Sequence, residues 1–346
     1  MEYRHLGRSG LKVSVFSFGA MTFGGAGMFS GIGETQGVEA KRQIDMCLEA
    51  GVNLFDTADM YSEGQSEEIL AEALGPRRRQ VLIATKFFGR MGPGPNDHAA
   101  SRHHIIEACE ASLRRLKTDY IDLYQIHNQD LLTPPDETLR ALDDLIRAGK
   151  VRYIGSSNHA GWTKMRALAT SDRLNLNRYV SQQIQYSLLD RDAEAELLPL
   201  GVYEGVGALI WSPLASGYLS GKFKRGANTG RLAGGERFAR IDTERARAVV
   251  DLLDEIAAGR PGATASQVAL NWVARKAGVA SIIIGARTSE QLADNLAAAT
   301  WSLSDEEIAR LDAASDLPLR YPYYMNRDFG GPRNPPLPLL PPISEQ

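Results

Sequence analysis

VLIATK at residues 81–86, HHIIEACEASLRRL at 103–116, DLYQIH at 122–127, DETLRALDDLIRA at 136–148 and VRYIGSSN at 151–158 decide the fold. The first, third and fifth are short, rich in Val, Ile and Leu, and close to continuously apolar. Strands buried on both faces of a parallel sheet read this way. The second and fourth are longer and amphipathic. In 103–116 the apolar residues Ile105, Ile106, Ala108, Cys109, Leu113 and Leu116 fall on a helical face. The run 136–148 stops at Gly149, a helix-ending residue. Alternation of this kind is the rhythm of a β/α fold.

Working outward, the rhythm continues in both directions. Further strand candidates are 13–20, 53–58, 179–186, 207–215 and 280–287. Helical runs cover 39–50, stopped by Gly51; 264–276, stopped near Gly278; and 289–299, with Ser289 as its expected N-cap. Eight strand-then-helix units predict a single-domain (β/α)8 TIM barrel, an α/β fold. A length of 346 residues admits either two domains or one such barrel. A doubly wound sheet is the runner-up, weakened because no Gly-x-Gly-x-x-Gly turn follows the first strand.

Two segments exceed a minimal barrel. Residues 216–244 are rich in Gly, Arg and Lys and read as either a solvated surface loop or a lid over a bound anion. Beyond residue 321, prolines at 322, 332, 335, 336, 338, 341 and 342 predict an extended, non-helical C-terminal extension. It is either a packed strap or a loose arm. The expected division is a barrel over 1–320 and a proline-rich tail over 321–346.

Composition excludes several functions. Lys plus Arg number 39 and Asp plus Glu 42, so no basic excess recommends nucleic acid as a partner. No apolar run reaches the roughly 18 residues of a membrane span. The N-terminal stretch MEYRHLGRSGLKVS lacks a signal-peptide core. Cys47 and Cys109 read as buried apolar residues, not as a disulfide framework. A cytoplasmic protein without a membrane partner is expected. The oligomeric state stays open, a homo-oligomer included.

In a parallel barrel the working residues sit at the C-terminal ends of the strands. Those ends carry Asp56, Lys86, His127, then Ser156, Ser157 and Asn158, then Gln182, Gln183 and Gln185, then Ser212 and Arg287. Singly, each has a bland reading: a helix cap, a lysine reaching water, a satisfied core histidine. Jointly they place an acid, an amine, an imidazole and amides on one rim. Tyr61 follows Asp56 by five residues. A phenol is a poor acid at neutral pH, and an adjacent ammonium lowers its pKa. A carboxylate keeps the ammonium charged, and a neutral imidazole donates to a substrate oxygen. Such a group protonates a carbonyl oxygen while something else attacks the carbon. No metal-ligand cluster, Gly-x-Ser-x-Gly or Cys-x-x-Cys is present, so no metal is expected. Side chains do not deliver hydride, so the attacker is a nicotinamide or flavin. Trp211 could stack on a flat ring, while Arg287 and Lys222 suit phosphates.

These residues resemble the aldo-keto reductase superfamily over about residues 3–324. The matching motifs are GVNLFDTADMYSEGQSEEILAEAL (51–74), ATK (84–86), DLYQIH (122–127), GKVRYIGSSNH (149–159), QIQYSLLDR (183–191), WSPLASGYLSGK (211–222) and IIGARTSEQLADN (283–295). The resemblance implies a barrel capped below by an N-terminal β-hairpin, about 3–6 with 12–15. It implies NADPH extended across the rim and a small-molecule carbonyl substrate. Tyr61 would be proton donor, Lys86 its partner, Asp56 the ion-pair partner of Lys86, and His127 would orient the carbonyl. Ser157, Asn158 and Gln183 would hold the carboxamide and Trp211 would stack on the ring. Ser212, Pro213, Leu214, Gly217 and Lys222 would line the pyrophosphate channel, and Gly285, Arg287, Gln291 and Asn295 the adenosine end. Thr22 and Asp56 would also touch the cofactor.

Trp211, where many members carry Tyr, is similar to the potassium-channel β-subunits and their bacterial relatives, which implies a regulatory, slow-turnover alternative. Arg287, where relatives carry Ser, favours NADPH over NADH. A Schiff-base lyase using Lys86 is a third reading, opposed by the adjacent Asp56. Pocket walls are expected from Phe23, Met28, Met60, Phe87, Phe88, Met91 and Trp162, suiting an apolar carbonyl.

Overall fold

The computed structural model describes residues 1–222 and 243–343. Ten strands and eleven helices are named in chain order among those residues. Strands β3 (Phe16–Gly19), β4 (Leu54–Asp56), β5 (Leu82–Phe87), β6 (Ile121–Ile126), β7 (Val151–Ser157), β8 (Ser181–Gln185), β9 (Gly207–Trp211) and β10 (Val279–Ile284) close into a parallel barrel in that order, β10 returning to β3. The pairing is parallel throughout, from Phe18 against Phe55 to Ile282 against Phe16. The expected (β/α)8 barrel is the observed fold.

The run 13–20 proves to be two elements. β1 (Tyr3–His5) and β2 (Lys12–Ser14) form an antiparallel hairpin, and β3 starts after Val15. Leu6 and Val13 of the hairpin pack with Leu54, Leu123, Leu209 and Ala280 inside the barrel. Apolar burial therefore plugs the N-terminal end and leaves the C-terminal rim for polar groups.

Helices α1 (Gly37–Glu49), α2 (Gln65–Leu74), α3 (Arg102–Arg115), α4 (Pro135–Arg147), α5 (Gly161–Leu174), α6 (Leu197–Glu204), α7 (Thr243–Ala258), α8 (Ala265–Ala274) and α9 (Ser289–Ala297) accompany the strands. α10 (Asp305–Ser315) packs against α7, and α11 (Tyr323–Gly330) lies in the tail. Their ends follow local chemistry. Ser101 caps α3 by accepting from His104 N–H, and Pro135 opens α4, where its missing donor costs nothing. Ser304 and Glu307 form a reciprocal capping box on α10. For α9 the cap is Thr288, which accepts from Gln291 N–H, rather than the expected Ser289. The main core, including Trp272, Tyr124 and Phe16, lies between barrel and helices.

The tail departs from expectation. Between Pro322 and Pro332 lie nine proline-free residues, enough for the two turns of α11. Pro322 sits at its N-cap, where no amide donor is required. Further on the chain does run extended and packed. Leu340 N–H donates to Arg275 O at 2.8 Å, Arg275 Nε returns to Leu340 O at 2.7 Å, and Ile343 is buried. Of the loop read as surface or lid, residues 223–242 lie outside the described residues.

Candidate active site

Strand register brings the rim residues together. Asp56 ends β4, and Lys86 lies one residue before the end of β5. His127 follows β6, its N–H donating to Phe87 O at 2.9 Å. Tyr61 opens a short turn after β4. Lys86 Nζ donates to Asp56 Oδ1 at 2.6 Å, Thr57 O at 2.8 Å and Tyr61 Oη at 3.3 Å. The His127 ring meets the Tyr61 ring edge-on at 5.6 Å, and Phe29 flanks Tyr61 at 5.3 Å. All four expected catalytic residues thus converge.

Electrostatics follow from burial and pairing. Desolvation opposes the charge on Lys86, but Asp56 and Tyr61 outweigh it and the ammonium is held above its ordinary pKa. Burial is the largest influence on Tyr61 and raises its pKa; Lys86 pulls it down without reversing the sign. The expectation of a phenol below its ordinary value is therefore corrected: in a dry wall, loss of water costs the phenolate more than one ammonium returns. Desolvation, then Lys86, holds His127 well below its usual pKa, so its imidazole is neutral.

The tetrad faces a cleft at the rim of the barrel. Asp56, Tyr61 and His127 line it, with Lys86 behind them. Of the expected cofactor residues, Thr22, Ser157, Asn158, Gln183, Trp211, Ser212, Pro213, Leu214, Gly285 and Asn295 line the same cleft. Gly217, Lys222, Arg287 and Gln291 lie outside its lining. A Cβ on Gly217 would come within 3.3 Å of Lys222 Nζ, so those two are neighbours. Gln291 Oε1 accepts from Arg287 N–H at 3.1 Å at the start of α9, with the Arg287 side chain exposed.

Several of these groups also have protein partners. Gln183 Nε2 donates to Asp56 Oδ2 at 2.8 Å. Asn158 donates to His127 O at 3.1 Å and accepts from Trp211 Nε1 at 3.2 Å. Asn158, Ser212 and Ser216 all have left-handed φ, from 53° to 57°, a strained conformation for residues with a side chain.

Sequence reasoning missed Gln125, whose amide reaches Asp56 Oδ2 at 3.3 Å. Its place two residues before His127, on the same face of β6, was the available signal. It also missed Asp59, Glu67 and Arg115 behind the Tyr61 turn. Of the expected substrate walls, Met28 and Met60 line the cleft, joined by Met21, Phe29 and Ile32. Phe23 and Phe87 belong to the core instead, and Phe88, Met91 and Trp162 lie outside the lining. No group of three metal-ligating side chains occurs among the described residues. No helix there is long and apolar enough to cross a membrane.

An extended dinucleotide fits this donor set. The cleft runs from Ser157 past the Ser212–Leu214 turn to Gly285 and Asn295, with Trp211 offering a flat face. At Gly285 a Cβ would meet nothing closer than Gly19 O at 3.7 Å, which leaves an open cradle beside the backbone.

Residues 16–316 match the sequence pattern of the aldo/keto reductase family. A probable voltage-gated potassium channel subunit beta from Arabidopsis thaliana is 39% identical over 86% of this chain and 91% of its own length. An uncharacterized oxidoreductase of Bacillus subtilis is 38% identical over 90% of this chain and 94% of its own. A putative voltage-gated potassium channel subunit beta from Schizosaccharomyces pombe is 37% identical over 90% and 92%.

Proposed function

The chain belongs to the aldo/keto reductase family, and on that premise we propose that it is an NADPH-dependent carbonyl reductase, reversibly converting a small aldehyde or ketone to its alcohol. One observation carries the reading: Lys86 Nζ bridges Asp56 and the Tyr61 hydroxyl at the wall of an open cleft.

A bound nicotinamide would supply hydride to the carbonyl carbon. Ser157, Asn158 and Gln183 would hold its carboxamide, Trp211 its ring, Ser212–Leu214 with Gly217 and Lys222 the pyrophosphate, and Gly285, Arg287, Gln291 and Asn295 the adenosine. Thr22 and Asp56 border the same path. The chain's own chemistry is acid catalysis. Tyr61 stays protonated through the neutral range because burial holds its pKa up. Its proton goes to the substrate oxygen, and the tyrosinate left behind sits 3.3 Å from an ammonium that Asp56 keeps charged. Neutral His127 donates to the same oxygen and orients it. Met21, Met28, Phe29, Ile32 and Met60 exclude water and favour an apolar substrate. The adjacent Asp56 argues against Lys86 acting as a Schiff-base amine.

Tyr61→Phe removes only the hydroxyl. Steady-state consumption of NADPH with an aldehyde panel should fall by about 10²–10⁴-fold, with NADPH binding retained. Full turnover in this variant sinks the assignment. The names of the plant and yeast relatives support a second reading, a regulatory NADP(H)-binding partner with slow turnover. Ordinary turnover on simple carbonyls makes it unnecessary. The two buried thiols fit a reducing compartment, and the reading places the protein in the cytoplasm.

A further inference from the structure

Behind the turn that carries Tyr61 lies a second group of buried polar side chains that the reaction above does not use. β4 and β5 continue their pairing past Asp56: Thr57 N–H donates to Ala84 O at 2.8 Å and Asp59 N–H to Lys86 O at 3.1 Å. The chain then turns through three left-handed residues, Ser62 (φ 50°), Glu63 (φ 58°) and Gly64 (φ 93°). Two of them carry side chains, so the surroundings must over-determine this backbone.

Three anchors do so. Ser62 Oγ accepts from Gly25 N–H at 2.9 Å. Gly64 lies so close to Arg115 that a Cβ would meet its Cδ at 2.7 Å. Asp59 Oδ1 accepts from Met60 N–H at 2.6 Å. Asp59 is wholly buried, and its Oδ2 has no hydrogen-bond partner.

The cations nearby are already matched. Arg115 Nε donates to Glu67 Oε2 at 2.6 Å, while Glu67 Oε1 takes the Thr85 hydroxyl at 2.5 Å. Lys86 is paired with Asp56.

We propose that Asp59 is a positioning residue for Tyr61, its carboxyl pinning the Met60 N–H and thereby holding the next residue's hydroxyl against Lys86. The inference rests on Tyr61 being the proton donor. Full burial and an Oδ2 without a partner favour the uncharged carboxyl. Burial, then Glu67, pushes its pKa well up, against the pull of Met60 N–H, Arg115 and Lys86. A carboxylate there would raise the Tyr61 pKa further, against the reaction's need.

The test uses the full chain with NADPH and 4-nitrobenzaldehyde, plus NMR titration of ring-labelled tyrosine, Tyr61 being identified by its loss in Tyr61→Phe. Asp59→Leu fills the space without an acceptor; kcat should drop about 10-fold or more, with NADPH affinity within about 3-fold. The Tyr61 titration should move up as Lys86 loses contact. Asp59→Asn keeps the acceptor and should restore kcat to within about 3-fold, with the Tyr61 titration unmoved. If Asp59→Leu does not fold, Asp59→Ala is read in its place. Full kcat in the apolar variant overturns the proposal, and so does a downward shift of Tyr61 in Asp59→Asn, which would mean a carboxylate. Absence of turnover in the unaltered chain counts against the reductase reading alone. The titration then decides on Asp59: an upward move with Leu and none with Asn supports it, and no move with Leu overturns it.

Discussion

Two lysines among the described residues are almost completely buried, and they behave oppositely. Lys86 lies at the rim end of the barrel, and Lys164 lies on α5, in the layer behind β7 and β8. Lys86 has a carboxylate at 2.6 Å and a carbonyl at 2.8 Å, and its ammonium is strengthened. Lys164 has no hydrogen-bond partner for its Nζ, only the face of the Tyr179 ring at 5.4 Å. Desolvation pulls its pKa down to about 7. His159 beside it is pushed to about 3 by burial and then by Lys164, against a backbone hydrogen bond with Asn128. Burial alone removes charge from an amine; burial beside a carboxylate preserves it, at the place where the chemistry needs it.

The comparison can be broken at its strong end first. Lys86→Met leaves Asp56 buried without its cation and Tyr61 without its stabiliser. Carbonyl reduction should fall by about 10²–10⁴-fold while NADPH still quenches tryptophan fluorescence. A loss below about 10-fold would show that the ammonium is dispensable.

Next comes the unpaired lysine. Its folded pKa, about 7, lies below the unfolded value near 10.4, so the unfolded chain binds more protons between those limits. Stability should therefore rise with pH across that window, and the full cost is felt below pH 7. Lys164→Met should raise the unfolding free energy at pH 7 by roughly 2–4 kcal/mol and flatten that slope. Denaturant titrations at pH 6.5, 8 and 9.5 measure both. Lys86 is opposite in sign: its raised pKa adds stability that is present below the unfolded value and lost as pH rises through the folded one.

The smallest effect belongs to a cation in water. Arg287 is exposed, and an exposed charge is screened. Arg287→Ala should weaken NADPH binding about 5- to 10-fold and leave NADH within about 2-fold. Equal losses for both cofactors would remove the 2′-phosphate from its role.

How much could be read in advance differs by element. VLIATK, DLYQIH and VRYIGSSN needed only apolarity and flanking helices, and each became a barrel strand within a residue or two of its expected bounds. The run 13–20 looked like one strand because alternation of direction at Val15 leaves no mark in hydropathy. α2, α5, α6, α7, α10 and α11 were not drawn from periodicity, and α11 was excluded on proline content although the prolines only bracket it. At the site, Asp56, Lys86 and His127 were legible because they sit at strand ends, and Tyr61 because it follows Asp56 within the same motif. Gln125, Glu67 and Arg115 were not, since their significance lies in side chains they touch on other elements, and Asp59 was not, since only its complete burial sets it apart.

The amino-acid sequence alone determined the architecture and the candidate reacting groups. Strand and helix periods, and residues at strand ends, are local properties that survive without coordinates. Only the folded chain decided the direction in which Tyr61 is shifted and the difference between Lys86 and Lys164. Each of these depends on how much water is removed and which charge stands within hydrogen-bonding distance. Both follow from packing residues together that are distant in the chain, as Gln183 is with Asp56, 127 positions before it.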